Sequence, residues 1–187
     1  MWRLITSVWI QLAVLGSCNS PTPPVFDLKA LDGSPVSKSL GQTGVLEVYF
    51  FLSPECPLCE NYSYTIADLR EEFPEDSVTF YGIFPGTYYD KATIQQFLSR
   101  YHPPVEVLLD PEYELTHHLE ATVTPEAFVI DEMGRIRYSG KIDNWIARLG
   151  VKRQVVNEHY LSAALTSLMG GRLPDPARTE PVGCFIE

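Results

Sequence analysis

The chain has 187 residues and a formal net charge of -10, from 14 Lys and Arg against 24 Asp and Glu. With 45% hydrophobic and 20% charged residues, it is expected to fold as one globular domain, because long disordered segments combine low hydrophobicity with high charge. Nucleic-acid binding depends on Lys and Arg, and the longest basic run is the pair Lys152-Arg153. We therefore expect no nucleic-acid partner.

The N-terminus has the pattern of an export signal. Residues 4–15 are mostly apolar and follow one basic residue, Arg3. Such a segment rises only about 18 Å as a helix, against about 30 Å of hydrocarbon, so a signal peptide at 1–17 is favoured over a membrane span. Leu15-Gly16-Ser17-Cys18 resembles a bacterial lipobox, which implies a lipid anchor at Cys18 and a periplasm-facing place in the cell envelope. The alternative is an ordinary signal peptide and a secreted or periplasmic protein.

The rest of the chain divides into a tether, a domain and a tail. Residues 18–24 are rich in proline and predict an extended tether. The folded domain is expected at 25–170. Residues 171–187 are expected to form a C-terminal tail that docks on the domain, because the apolar stretch 181–186 would not be needed in a solvated terminus.

Strand and helix patterns alternate through the domain. Residues 45–52 are nearly all apolar and predict a strand that is buried on both faces. Pro57–Phe73 has the spacing of an amphipathic helix, and proline is favoured at the first helical position. The later elements are predicted in chain order as a strand at 77–84, a helix at 91–101, a strand at 105–109, a short helix at 113–119, a hairpin of 127–131 with 135–141, and a long helix at 148–169. This order predicts a three-layer α/β/α sandwich with a mixed central sheet.

The chemistry is carried by Cys56-Pro57-Leu58-Cys59, where the buried strand gives way to a helix. A helix N-terminus favours negative charge, so the pKa of Cys56 is expected to fall well below the free value of about 8.5. Glu55 would oppose this fall by like-charge repulsion. Cys59 follows one helical turn later and can attack a mixed disulfide at Cys56. The pattern predicts Cys56 as the nucleophile and Cys59 as the resolving thiol.

Two other uses of a C-x-x-C motif are weaker. A structural zinc site needs four ligands, and the adjacent pair His117-His118 cannot easily supply the other two from one helix, so no metal is expected. A purely structural disulfide would close a very small loop and constrain little of the unfolded chain.

Together with Val123-Thr124-Pro125, the hairpin FVIDEMGRIRYSGKID and the closing helix, the C-P-L-C unit resembles the thioredoxin-like superfamily, in its exported redoxin branch. The resemblance covers about residues 25–170. It implies a cis bond before Pro125 and a substrate chain that pairs with the backbone of Thr124. It also implies thiol-disulfide exchange that needs no organic cofactor, with protein thiols or disulfides and a redox partner protein as partners.

Departures from related families define the alternatives. Peroxiredoxins carry Pro-x-x-x-Thr/Ser-x-x-Cys, and here Ser53 and Cys56 match while Tyr49 replaces the proline. A thiol-dependent peroxidase with an antioxidant role is therefore the main alternative. Copper chaperones of the superfamily use C-x-x-x-C, so a metal-handling role is less favoured. A binding module that holds a partner without turnover is the alternative from a different class.

Three further features have both a functional and an ordinary interpretation. Glu47 is the best candidate for a buried acid that assists proton transfer, or else a strand-edge carboxylate facing water. The loops 88–90 and 143–145 could line a substrate groove, or simply hold partly buried rings. Cys184 is the odd cysteine, and we expect either a third redox cysteine that exchanges with the pair or a buried, unreactive thiol.

Overall fold

The computed structural model describes residues 23–186. The strands are β1 (Val25–Ala30), β2 (Pro35–Ser39), β3 (Leu46–Phe51), β4 (Val78–Pro85), β5 (Glu106–Asp110), β6 (Val123–Thr124), β7 (Glu126–Ile130), β8 (Ile136–Gly140), β9 (Ile146–Arg148), β10 (Val151–Lys152) and β11 (Cys184–Phe185). The helices are α1 (Pro57–Glu72), α2 (Lys91–Tyr101), α3 (Glu114–Leu119) and α4 (Tyr160–Met169). The predicted signal peptide at 1–17 and most of the predicted tether, including Cys18, lie outside the described residues.

Seven of these strands form one mixed sheet in the order β2-β1-β5-β4-β3-β7-β8. Strands β3, β4 and β5 are parallel to one another, while β7 pairs antiparallel with β3 and then with β8. The carboxyl ends of the parallel strands β3, β4 and β5 therefore lie at one edge of the sheet, which is where ligands of open α/β sheets bind. The mixed sheet with flanking helices confirms the predicted α/β class.

Each face of the sheet has its own core. Side chains of β3 alternate, so Val48 and Phe50 face a cluster formed with α1, α2 and α4, while Tyr49 and Phe51 face a second cluster that includes α3. Strand side chains have a period of two, which explains why a continuous apolar run was needed at 45–52. The helices thus cover both faces of the sheet, as the three-layer prediction requires.

The predicted long final helix is wrong in its first half. Helix α4 begins only at Tyr160, and the residues before it include the short antiparallel pair β9–β10, which turns at Gly150 with a positive φ of 78°. Leu149 and Val155 suggested a helical face, yet they are 57% and 71% exposed. Because these side chains bury nothing, no packed face stabilises a helix over that stretch.

The first hairpin was missed. Strands β1 and β2 pair antiparallel, and β1 joins the sheet beside β5. Their buried side chains are sparse, with Phe26 and Leu28 as the buried members of β1, so the apolar signal is short.

Within residues 23–186, no helix is both long and apolar enough to cross a bilayer.

Candidate active site

The site is built where β3 ends and α1 begins. Cys56 is the N-cap residue of α1, with an extended backbone at φ -83° and ψ 112°, and Pro57 follows inside the first turn. Proline fits there because its missing N–H would have no helical partner. The amide N–H groups of Leu58 and Cys59 point at the Cys56 sulfur. The chain thus places a thiol at the positive end of a helix dipole.

The two cysteines of the motif have opposite acid strengths. Hydrogen bonding from the Cys59 thiol, assisted by Cys184 and by the two amides, lowers the pKa of Cys56 to about 5 against the opposing effect of burial. Burial and the neighbouring Cys56 raise the pKa of Cys59. At neutral pH the first sulfur is therefore a thiolate and the second a thiol, which is the division of labour predicted from the sequence.

Glu55 does not reverse this outcome. It is exposed, and the pKa of the neighbouring Cys56 falls in spite of it because hydrogen bonds to the sulfur dominate. The repulsion expected from the Glu55 carboxylate is therefore too weak to keep the pKa of Cys56 at its ordinary value.

The segment around Pro125 closes the other side of the motif. The Thr124–Pro125 peptide bond is cis, the geometry that the resemblance implies. The sulfur of Cys56 lies 3.1 Å from the carbonyl oxygen of Thr124. Glu126 accepts a hydrogen bond of 2.9 Å from the amide of Thr122, which fixes the residue that immediately precedes β6. Cys56, Thr124 and Pro125 are therefore brought together as one unit.

Cys184 completes the cluster from the far end of the chain. Strand β11 pairs antiparallel with β6, with Cys184 opposite Thr124. Its sulfur lies 2.7 Å from that of Cys56, and both are free thiols. Burial and the adjacent Cys56 raise the pKa of Cys184 to about 12. Of the sites predicted from the sequence, only Cys18 is absent from the described part of the chain.

A pocket of about 310 Å³ opens beside these thiols. Tyr88 and Tyr89 belong to its wall, as one interpretation of the 88–90 loop expected, while Asp143 and Trp145 do not. The residues that line it are Leu52, Ser53, Glu55, Cys56, Phe84, Pro85, Gly86, Tyr88, Tyr89, Ile94, Tyr113, Thr124, Cys184, Phe185 and Ile186. Glu55 is the one acidic or basic side chain, other than the thiols and phenols, in this described lining. The pocket therefore favours an apolar or aromatic neighbour of the reacting sulfur.

The structure adds residues that sequence reasoning missed. Phe84 and Gly86 lie at the carboxyl end of β4, and Tyr113 packs against Gly86, where an added Cβ would meet its hydroxyl at 2.0 Å. The strand order could have indicated the first two, since the carboxyl ends of parallel neighbours share one edge. Tyr113 starts α3 in a left-handed conformation, for which its sequence gives no signal.

The proton-transfer prediction for Glu47 is wrong. Its carboxylate is fully buried but lies on the face of β3 opposite the cysteine pair, where Lys38, Gly41 and Tyr49 donate to it at 2.8 to 2.9 Å. The contacts also exclude the water-facing alternative. Glu47 instead fixes the β2–β3 connection.

The geometry defines a thioredoxin-like protein: a mixed sheet, a C-x-x-C pair at a helix start and an adjoining cis-proline segment. The chain belongs to the Redoxin family, which matches residues 19–145. A comparison with curated protein sequences gives no significant match. Membership in this family supports a redox function of the thioredoxin-like kind.

Solved structures share the fold at low sequence identity. An uncharacterized conserved protein of Geobacillus kaustophilus is 23% identical, with a TM-score of 0.74 over 88% of this chain and 89% of its own. A hypothetical protein of Sinorhizobium meliloti is 20% identical, with a TM-score of 0.74 over 90% of this chain and 95% of its own. A secreted disulfide oxidoreductase of Mycobacterium tuberculosis is 22% identical, with a TM-score of 0.51 over 59% of this chain and 79% of its own.

Proposed function

We propose that the protein is an extracytoplasmic thiol-disulfide oxidoreductase that works through Cys56 and Cys59. The observation that carries the proposal is the placement of Cys56 at the start of α1, with Cys59 in the first turn and the carbonyl oxygen of Thr124, before the cis bond to Pro125, 3.1 Å from the Cys56 sulfur. The pKa values agree with it, since that of Cys56 falls and that of buried Cys59 rises. The solved relatives include proteins described as disulfide oxidoreductases. We propose protein thiols or disulfides as the substrate class of this chain.

The proposed cycle balances within the two thiols and one substrate disulfide. The Cys56 thiolate attacks a substrate sulfur, forms a mixed disulfide and releases the other substrate sulfur as a thiolate, which takes up a proton. Cys59 then attacks the Cys56 sulfur and its proton passes to the departing substrate thiolate. The substrate disulfide is reduced and the Cys56–Cys59 disulfide forms; the same steps in reverse oxidise a substrate dithiol.

Acidity gives each cysteine its place in the order of attack, since the pKa of Cys56 is lowered and that of Cys59 is raised. Cys59 is fully buried, and its sulfur accepts from the amide of Ser53 at 3.4 Å. A buried thiol of raised pKa is a poor first nucleophile. It is, however, one helical turn from Cys56, so it meets a mixed disulfide as soon as one forms. The order Cys56 first and Cys59 second follows.

The location is proposed from the sequence alone. The apolar stretch 4–15 and Cys18 support export and lipid attachment in a bacterial envelope. Proteins outside the cytoplasm form and keep disulfides, so this location suits a thiol-disulfide oxidoreductase. Metabolic labelling with a fatty-acid analogue tests this: we expect label on the full chain and none on Cys18→Ala. Equal labelling of the two chains would contradict the anchor.

The activity is tested by trapping and by oxidant choice. The reduced full-length chain in detergent is challenged separately with glutathione disulfide and with hydrogen peroxide, and its linkages are mapped by mass spectrometry over time. We expect the Cys56–Cys59 disulfide to form with glutathione disulfide, and C59S/C184S to accumulate a glutathione adduct at Cys56. Faster oxidation by peroxide through a sulfenic acid at Cys56 would instead indicate a peroxidase. If C56S binds partner proteins as tightly as the wild type does, the protein would instead be a binding module without turnover.

A further inference from the structure

The C-terminal tail brings a third sulfur into contact with the nucleophile. Cys184 and Cys56 lie 128 residues apart in sequence, yet their sulfurs are 2.7 Å apart. A disulfide bond is about 2.05 Å long, so these two thiols lie within reach of a bond without a change in the strand pairing. The distance between the two sulfurs is therefore short enough for a disulfide to form between them.

The tail is fastened at two places on either side of this contact. Upstream, the amide of Thr179 donates to Ser139 at 2.9 Å, and its hydroxyl oxygen accepts from the amide of Lys141 at 2.8 Å. Downstream, the amide of Ile186 donates to Thr122 at 3.0 Å. Cys184 is held between these anchors. Its position depends on tertiary contacts with β6 and β8 and not on local sequence.

Gly183 lets the tail approach so closely. An added Cβ at Gly183 would lie 2.3 Å from the carbonyl oxygen of Thr124, well inside any real contact. Its backbone φ is not in the left-handed region, so the requirement is space and not backbone freedom. The absence of a side chain here is what allows β11 to lie on β6.

Only one of the three thiols is accessible from solvent. Cys184 is partly exposed, Cys56 is 1% exposed and Cys59 is fully buried. With the tail docked, a partner thiol or disulfide can approach the outermost sulfur more readily than the nucleophile beneath it. A buried nucleophile covered by a cysteine is arranged for passing disulfides outward.

We propose that Cys184 is the outer thiol of a three-cysteine exchange, through which the disulfide of the motif is passed to and from partner thiols. This rests on the proposed function of Cys56 and Cys59. The Cys184 sulfur attacks Cys56 in the Cys56–Cys59 disulfide; the Cys56–Cys184 bond forms, the Cys56–Cys59 bond breaks, and the proton of Cys184 passes to Cys59. One disulfide and one thiol exist before and after the step, so no oxidant or reductant is consumed.

The outward step uses the acidity of Cys56. A partner thiolate attacks Cys184 in the Cys56–Cys184 disulfide, forms a mixed disulfide there and releases Cys56 as a thiolate. The sulfur of lower pKa leaves faster in such exchange, and Cys56 is the more acidic of the two. Access and leaving-group strength therefore select the same sulfur for attack, that of Cys184.

The charge on Cys56 also couples Cys184 to the redox state. In the reduced protein burial is the largest cause that raises the pKa of Cys184, and its hydrogen bond to the Cys56 thiolate and the charge on that sulfur raise the pKa further. In the Cys56–Cys59 disulfide that negative charge is gone. Cys184 therefore becomes a stronger acid and a better nucleophile when there is a disulfide to attack.

The test is the fate of a mixed disulfide when Cys59 is removed. Reduced, full-length C59S in detergent is treated with one equivalent of glutathione disulfide, quenched with acid and mapped by mass spectrometry. We expect the Cys56–Cys184 disulfide and release of both glutathione molecules. A lasting glutathione adduct at Cys56, with Cys184 still open to alkylation, would overturn the proposal.

A register control separates strand placement from mere proximity. The variant C59S/C184S/F185C moves the thiol one residue along β11, to the position of a side chain that is 78% exposed. Neighbouring side chains of a strand point to opposite faces, so a glutathione adduct at Cys56 is expected to persist. Equal disulfide formation in this variant would show that the placement of Cys184 does not matter.

The outward step has its own readout. Isotopically labelled glutathione in limiting amount is added to the Cys56–Cys184 form of C59S, and label at Cys184 is expected in several-fold excess over label at Cys56. The reverse preference would overturn the outer-thiol assignment. C184S keeps the two tests apart: if it forms Cys56–Cys59 normally while C59S forms no tail disulfide, the proposed function stands and this inference fails.

Discussion

Cys59 and Cys184 contact the same sulfur from two different kinds of structure. Cys59 is carried by the helix that also begins at the nucleophile, so its distance from Cys56 is fixed by one helical turn. Cys184 is carried by a two-residue strand whose place depends on β6 and on the anchor at Thr179. The first neighbour is therefore fixed by local helix geometry, while the second is held only by contacts between distant segments. We expect the second to be lost more easily than the first.

Removing the sulfur that both neighbours share should have the largest effect. For Cys56→Ser we expect loss of all intramolecular disulfide formation, since neither Cys59 nor Cys184 then has its bonding partner. Mass mapping after treatment with glutathione disulfide measures this. Efficient formation of a Cys59–Cys184 disulfide in this variant would show that the two neighbours do not depend on Cys56.

Detaching the strand should leave the helix side intact. Gly183→Ala places a Cβ against Thr124, and overpacking of this kind costs about 1 to 3 kcal/mol. The population with an open tail should rise by about fivefold to about a hundredfold, and alkylation of Cys56 by a bulky maleimide should accelerate by the same factor. Formation of the Cys56–Cys59 disulfide should survive.

Gly170→Ala is the matched control for that substitution. Gly170 has a negative φ of -81°, and an added Cβ would meet its nearest neighbours at an ordinary 3.4 Å. The alkylation rate of Cys56 is therefore expected to stay at the wild-type value. An equal acceleration in both variants would contradict tail detachment as the cause.

Cys59 and Cys184 contribute unequally to the acidity of Cys56. The hydrogen bond from Cys59 is the largest cause that lowers the pKa of Cys56, ahead of the one from Cys184. Cys59→Ala should raise the midpoint of thiolate formation from about pH 5 towards the free value of about 8.5, and Cys184→Ala should raise it less. Ultraviolet thiolate absorbance against pH measures both. The opposite order would show that the tail is the stronger stabiliser.

The same pKa predicts a pH-dependent stability. The pKa of Cys56 is lowered by folding, so the thiolate stabilises the reduced protein above the unfolded value of about 8.5 and this contribution is lost as pH falls through about 5. The difference between the free energies of unfolding of the reduced wild type and of reduced C56S, measured with denaturant, should therefore increase as pH rises between these values. Parallel profiles would contradict a stabilised thiolate.

The smallest expected effect is at the upstream anchor. Thr179→Val removes the hydroxyl that contacts Lys141 and Tyr138, and a hydrogen bond contributes about 1 kcal/mol. Tail opening should increase several-fold, seen as faster alkylation of Cys56. Thr179→Ser keeps the hydroxyl and should behave as the wild type; a matching increase in Thr179→Ser would contradict the hydroxyl as the group that holds the tail.

Local pattern was enough to predict the centre of the fold. The apolar run 45–52 and the spacing after Pro57 predict β3 and α1 within a residue or two, because burial on both faces and a single apolar stripe leave direct signatures in sequence. The motif itself lies at their junction. The cysteine chemistry could therefore be predicted before any tertiary contact was known.

Long-range contacts set the limit of that prediction. Exposed Leu149 and Val155 imitate a helical face that has nothing to pack against, and only the fold shows this. Glu47 broke an apolar run, but which face it occupies depends on strand parity within the sheet. The pairing of Cys184 with Thr124 joins distant segments and has no local periodicity, so the sequence could only mark Cys184 as the odd cysteine.

Mapping every disulfide in the wild-type chain shows directly whether Cys56 is the sulfur that all exchange passes through. Reduced full-length protein is treated with limiting glutathione disulfide, and samples are quenched with acid at successive times. We predict that every intramolecular disulfide contains Cys56, paired with Cys59 or with Cys184. A dominant Cys59–Cys184 disulfide, or a Cys56 that stays reduced while another cysteine reacts, would contradict the central claim.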